Sequence, residues 1–144
     1  MMRLAWIACA SPEYALTVAL RHAVLRVPLG LAFTLDQLAS EFGSHHLAAF
    51  DDAGHILGCL MLTPHEGGEV QMRQVAVKPE MQGTGLGRAL VEEAERRARE
   101  LGFTRMMLHA RDVAIGFYTR LGYAREGDLF TEVGITHQQM AKQL

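Results

Sequence analysis

Two periods of apolar residues divide this chain into strands and helices, with Pro and Gly marking most of the joints. A short apolar run over residues 4–10 reads as a first strand. Ser11-Pro12-Glu13 then opens a helix to about Val27, because Ser caps well and Pro suits the first helical position. Thr34-Leu35-Asp36-Gln37 is a capping-box pattern for a short helix ending near Gly43. Strands over about residues 46–50 and 55–63 pair across Asp51-Asp52-Ala53-Gly54, and a turn at residues 64–68 leads to an alternating run from Val70. The clearest period is helical: Leu86, Leu90, Val91, Ala94, Ala98 and Leu101 share one face. On its other face Glu92 with Arg96, Glu93 with Arg97 and Glu95 with Arg99 stand at i,i+4, and Gly102 suits its end. Residues 105–109 follow as a strand, 112–121 as a helix stopped by Gly122, and the tail as two more strands. Hairpins first, then strands separated by helices, predict an α/β (α+β) fold with a mixed, mostly antiparallel sheet and helices on both faces.

Between the run ending at Pro79 and the long helix lies Gln82-Gly83-Thr84-Gly85-Leu86-Gly87-Arg88. Alternating glycines turn the backbone tightly and bare its N–H groups, and the helix start adds its positive end, so the loop suits a phosphate carrier. A Walker loop needs Gly-Lys-Ser/Thr, but Gly87 is followed by Arg88 and Ala89. A dinucleotide fingerprint needs a later glycine at positions held by Arg88 or Leu90. The loop does match Gln/Arg-x-x-Gly-x-Gly, as Gln82, Gly85 and Gly87. Downstream, Ala114, Phe117, Tyr118, Gly122 and Tyr123 match Asn-x-x-Ala-x-x-Phe-Tyr-x-x-x-Gly-Phe/Tyr, with Arg111 in place of the asparagine. On these two motifs the chain resembles the GNAT N-acetyltransferase superfamily over nearly its whole length. Its tail, Phe130-Thr131-Glu132-Val133-Gly134-Ile135-Thr136-His137, is similar to that of small stand-alone bacterial members, with Thr136 where proline is commoner.

The resemblance implies a sheet of about six to seven strands, acetyl-CoA as cosubstrate, and direct attack of a primary amine on the bound thioester in a ternary complex. Such a transfer requires a held coenzyme, a stabilised oxyanion and protonation of the departing thiolate. For the coenzyme, the resemblance points to Gln82, Gly83, Thr84, Gly85, Leu86, Gly87 and Arg88 on the pyrophosphate, with Arg111 and Phe117 as further contacts. For the oxyanion and pantetheine arm it points to main-chain groups of Val75, Ala76 and Val77, where their strand splays from that of residues 106–110. A plain core strand would show the same side chains. Tyr118 is the expected general acid, since a phenol with a pKa of about 10 is protonated at neutral pH. Alkylamines are mostly protonated at pH 7, and Glu132 and His137 are candidates for the base or for substrate contacts. The alternative for these two is a solvated glutamate and a hydrogen-bonding strand histidine.

Composition narrows the partners. At 144 residues, 49% hydrophobic, the chain has room for one domain spanning residues 1–144. A net charge of -2 with scattered basic residues offers no stripe for nucleic acid and no polybasic helix for a membrane, which leaves a small-molecule or peptide amine as partner. Cys9 and Cys59 cannot build a disulfide framework or a zinc site, which points to a cytoplasmic protein. The start imitates an export signal, but cleavage after Ala10 would remove the strand that the resemblance requires. No metal is expected, because His45 and His46 point to opposite faces of a strand and no ligand spacing occurs. One of Arg73 and Gln74 could face the acceptor pocket, but Arg73 is expected instead to pair locally with Glu69 or Gln71, and Met72, Met81, Met106 and Met107 are expected to fill the core. Dimers are common among proteins that look like this. The rival readings are a coenzyme-binding sensor that has lost transfer, a peptide or protein N-acetyltransferase, and transfer of a longer acyl chain.

Overall fold

The computed structural model describes residues 2–144, and the strands foreseen form one seven-stranded sheet. In chain order they are β1 (Arg3–Ile7), β2 (His45–Phe50), β3 (Ile56–Pro64), β4 (Glu69–Val77), β5 (Arg105–Arg111), β6 (Ala124–Glu132) and β7 (Ile135–Gln143). Their spatial order is β1-β2-β3-β4-β5-β7-β6. Only the central β4–β5 neighbours run parallel, because the connection between them is a helical crossover and the other connections return the chain antiparallel. The helices are α1 (Pro12–Arg21), α2 (Leu35–Ala39), α3 (Leu86–Glu100) and α4 (Ile115–Arg120).

The caps read from sequence are present. Ser11 accepts from the Tyr14 N–H, and Thr34 and Gln37 form a reciprocal capping box. The first helix does not run unbroken to Val27. It ends at Arg21 and passes through a π turn at His22–Arg26 and a 3-10 turn at Val27–Leu29, where Pro28 has no N–H to continue an α-helix.

The two sheet faces carry different layers. Leu60, Leu62, Val70, Met72, Met106 and Leu108 meet Leu86, Leu90, Val91, Ala94 and Ala98 of α3, together with Ile115 and Tyr118 of α4. On the opposite face Cys59 and Ala76 meet Leu20 of α1, with Val24 and Leu25 of the π turn packed beside them. Gly58 makes the close approach of α3 possible: a Cβ there would lie 3.0 Å from Leu90 Cδ1 and 3.2 Å from the Ala76 carbonyl oxygen.

Three expectations fail around α3. Leu101 is 40% exposed, because it is the C-cap residue where the backbone leaves the helical path toward Gly102 at φ +92°. None of the three expected i,i+4 pairs forms. Arg96 instead bonds Glu93 and Glu100, Arg97 bonds Glu100, and Arg88 bonds Glu92. Glu95 is buried on the inner face, where it accepts from the Tyr123 hydroxyl at 2.8 Å and from Lys142 Nζ at 3.0 Å. A helical wheel read from sequence cannot assign a glutamate inward, since its two partners come from the helix–sheet junction and the last strand.

The methionines expected in the core are there: Met72, Met106 and Met107 are buried and Met81 packs against the cluster. Cys59 is buried in β3, whereas Cys9 lies in the turn after β1 and not in a strand. Among the described residues no helix is long and apolar enough to cross a membrane.

Candidate active site

β4 and β5 pair only from Glu69↔Arg105 to Met72↔Leu108, and beyond that β5 continues against β7 alone. The divergence has a local cause. Gln74 takes φ +55°, and between Met61↔Arg73 and Cys59↔Ala76 the two residues Gln74 and Val75 stand opposite the single Leu60. That is a β-bulge, which bends a strand and raises its twist. It turns the end of β4 away from β5 and leaves a wedge in the middle of the sheet.

A cavity of about 230 Å³ occupies the wedge. It is lined from both faces: Leu25 and Arg26 of the π turn border it on one side, and Ala114 and Tyr118 on the other. Side-chain alternation sorts the strand residues between the faces. Met72, Leu108 and Ala110 belong to the α3 core, so Arg73, His109 and Arg111 point to the α1 face. The cross-strand partner of Arg111 is His137, which shares that face.

Tyr118, Glu132 and His137 all border this one cavity, although 14 residues of sequence separate the first two. Tyr118 is 7% exposed and makes edge-on ring contacts with Phe117 and Tyr123, at 5.0 and 5.8 Å between centroids. Burial pushes its phenol up to about 12, so the ring enters the site protonated. Glu132 reaches His109 Nδ1 at 3.0 Å, and His109 packs edge-on against Phe130, which stacks on His137. His137 is buried, with Nδ1 2.9 Å from the Ile135 carbonyl oxygen; a proton on Nδ1 leaves Nε2 as the free lone pair. The hairpin that delivers Glu132 and His137 turns at Val133 and Gly134, both at positive φ, and Val133 also borders the cavity.

The residues expected to hold the coenzyme stand apart, between the end of β4 and the first turn of α3. Gly83 and Gly85 have φ +79° and +90°, and a Cβ on either would meet nothing within 4 Å. These positions therefore need glycine for their backbone angles and face open space. Gly85 is also the N-cap of α3 and has no side chain to accept a hydrogen bond. The N–H groups of Leu86, Gly87 and Arg88 precede the first intrahelical bond, Ala89 N–H to the Gly85 carbonyl at 3.0 Å. Open donors at a positive helix end on an uncovered surface fit a pyrophosphate. Gln82 and Thr84 are tied to the loop itself, to the carbonyls of Val77 and Met81. Gly87 serves packing, since a Cβ there would lie 3.4 Å from Phe117 Cζ. Phe117 thus touches both the loop and Tyr118.

Of the remaining expected residues, Val75 borders the cavity, while Ala76 is buried on the α1 side and Val77 packs into the α3 core. Arg111 lies on the α1 face and donates Nη2 to the Leu25 carbonyl at 3.2 Å, tying β5 to the π turn. Arg73 does not pair locally: Glu69 is taken by Arg105 and Gln71 by His65, and Arg73 borders the cavity. Arg26 and His109 are among the cavity residues that sequence reasoning had not placed there, whereas both Arg73 and Gln74 border the cavity where the sequence suggested that one of the two could. The periodicity of β4 hides the bulge at Gln74, because a positive φ at a glutamine leaves no compositional mark. Cys59 does not border the cavity, and burial pushes its thiol up to about 12, far from a reactive thiolate. Among the described residues no group of three or more His, Cys, Asp or Glu could hold a metal ion.

Comparison with known proteins bears on the fold and the family. A solved acyl-CoA N-acyltransferase of Pseudomonas aeruginosa superposes with a TM-score of 0.83 at 26% identity, covering 99% of both chains. The Escherichia coli ribosomal-protein-S18-alanine N-acetyltransferase shares the fold, with a TM-score of 0.79 at 18% identity over 99% of this chain and 94% of that one. An uncharacterized N-acetyltransferase of Schizosaccharomyces pombe is 34% identical over 98 residues, 61% of this chain and 60% of that protein. The chain spans about half the length of several curated relatives it matches. The profile of the acetyltransferase (GNAT) family matches residues 13–123, from the first turn of α1 through the second motif, and the chain belongs to that family.

Proposed function

We propose that this protein is an acetyl-CoA-dependent N-acetyltransferase that moves the acetyl group to a primary amine by direct attack, as one domain spanning the chain. The observation that carries the reading is the cavity through the β4–β5 wedge, open to groups from both sheet faces. Bound acetyl-CoA supplies an activated thioester carbonyl. The loop from Gln82 to Arg88 would hold its pyrophosphate, and the end of β4, freed from β5 by the bulge, has main-chain groups at Val75 to receive the pantetheine arm and the oxyanion.

The chain's residues divide the proton transfers between the faces. On the α4 side Tyr118 is protonated and desolvated, placed to give its proton to the leaving sulfur. A thiolate released in the same dry setting is more basic than in water, because burial penalises its charge too, and this narrows the gap to the phenol. On the α1 side the Glu132–His109 pair and His137 Nε2 are placed to take the ammonium proton of the acceptor. No cysteine ester is involved, in keeping with a buried Cys59 outside the cavity.

The test is thiol release from acetyl-CoA over a panel of amines, with thermal shift by the coenzyme alone alongside. Stabilisation with thiol release is the expected result. Stabilisation without release on any amine or peptide would favour a coenzyme sensor, and no stabilisation would remove the coenzyme site.

A further inference from the structure

The acceptor side of the cavity has an uneven charge. Its lining includes three guanidinium groups, Arg26, Arg73 and Arg111, against one carboxylate, Glu132, which His109 already engages. All three arginines lie on the α1 face, away from the α3 N-terminus and from the glycine loop, so they do not duplicate the pyrophosphate contacts. None makes an ion pair among the described residues: Arg26 stacks over Phe33 at 4.5 Å, Arg111 spends one N–H on the Leu25 carbonyl, and Arg73 is left with none of the local partners expected for it. Arg26 is pushed below its ordinary value first by burial and then by Arg21 and Arg111, with Arg73 adding to the repulsion; Glu132 opposes the shift without cancelling it, so a further anion at this place would be favoured.

Resting on the acetyltransferase reading above, we propose that the acceptor is a small primary amine that also carries an acidic oxygen group, a carboxylate or a phosphate, held by Arg73 and Arg26 with Arg111. A guanidinium presents its N–H groups in a planar fork matched to either anion. The amine end then falls toward Glu132, His109 and His137 on the same face, and the anionic end toward the arginines. The cavity of about 230 Å³ also has to take the thioester end of the coenzyme, and it is below the roughly 300–1,000 Å³ of sites for drug-sized ligands, so only a small acceptor fits beside it. A polyamine with several positive charges meets repulsion at the same place.

The experiment compares matched acceptors, glycine, L-alanine and β-alanine against their amides and phosphoethanolamine against ethanolamine, with spermidine added, on the wild type, Arg73→Gln and Arg73→Lys. The amides carry the less basic and more reactive amine, so a preference for the acids cannot come from amine reactivity. We expect kcat/KM at least tenfold higher for one anionic class over its neutral partners. Arg73→Gln should raise that acceptor's KM tenfold or more, leave the KM of acetyl-CoA within twofold, and be partly rescued by Arg73→Lys. Which pairs show the preference tells carboxylate from phosphate. Faster turnover of amides or spermidine, or equal effects of Arg73→Gln on charged and neutral acceptors, overturns the proposal. Calorimetric titration of the same compounds into protein with CoA gives a second reading: no preference for anionic amines also overturns it. Anion binding that Arg73→Gln abolishes, found without any thiol release, would instead refute the transfer reading and keep the anion site.

Discussion

At the scale of single residues, Tyr118 does two things that pull against each other. Its ring is part of the α3-side core, yet its edge borders the cavity. Tyr118→Phe keeps the ring and removes the proton, so kcat should fall by about 10²-fold or more while the KM of acetyl-CoA stays within twofold in steady-state assays. Unchanged turnover would remove the role. A phenol at about 12 stays protonated throughout the neutral and mildly alkaline range. The rate should therefore rise with pH as acceptor amine is deprotonated and show no downturn from Tyr118 below about pH 11. A downturn near pH 9 that disappears in Tyr118→Phe would show that burial does not hold the phenol up.

At the scale of elements, two junctions set the site. The first is the glycine loop: Gly85→Ala places a Cβ in open space but in a left-handed conformation, at a cost of about 1–2 kcal/mol. Its larger effect should be on the coenzyme, with KM for acetyl-CoA rising tenfold or more because the N–H groups of the first α3 turn are no longer held out. A shift in melting temperature alone, with KM unchanged, would move the pyrophosphate elsewhere. The second junction holds the π turn over the cavity. Arg21, 1% exposed, meets both oxygens of Glu41 at 2.8 and 2.6 Å, and Tyr14 donates to the same carboxylate at 2.7 Å. Burial raises the Glu41 pKa, but the bonds from Arg21 and Tyr14 outweigh it and hold the carboxyl below its ordinary value. A depressed folded-state pKa means stability that is present above the unfolded value of about 4.3 and lost as pH falls through the lower folded one. Glu41→Gln leaves a buried guanidinium uncompensated and should cost about 3–5 kcal/mol, lowering the melting temperature by roughly 10–17 °C. Calorimetry of the variant at neutral pH, and of the wild type below pH ~4, checks both.

At the scale of the whole molecule, one sheet supports the glycine loop, Tyr118 on α4 and the residues that line the cavity, so these parts should be lost together. We expect a single unfolding transition with equal calorimetric and van't Hoff enthalpies. Acetyl-CoA at 100 times its Kd should stabilise by about 2.7 kcal/mol; two transitions, one insensitive to the coenzyme, would divide the chain.

The amino-acid sequence by itself determined the order and type of the elements, the capping of α1 and α2, the two motifs, and a short set of chemical groups that included Tyr118, Glu132 and His137. These are local properties: a cap, a left-handed glycine and an apolar period act over a few residues, so their signals are printed side by side along the chain. Which groups meet was settled only in three dimensions. The bulge at Gln74 opens the wedge, sheet alternation turns Arg73, His109 and Arg111 to one face, and the π turn adds Arg26 from a segment 47 residues before Arg73. The same holds for Glu95, which looked like a solvated helix charge and is buried by partners from Tyr123 and β7. Long-range charge and burial depend on neighbours that periodicity cannot name, which is why the residues that line the cavity were decided only in the folded chain.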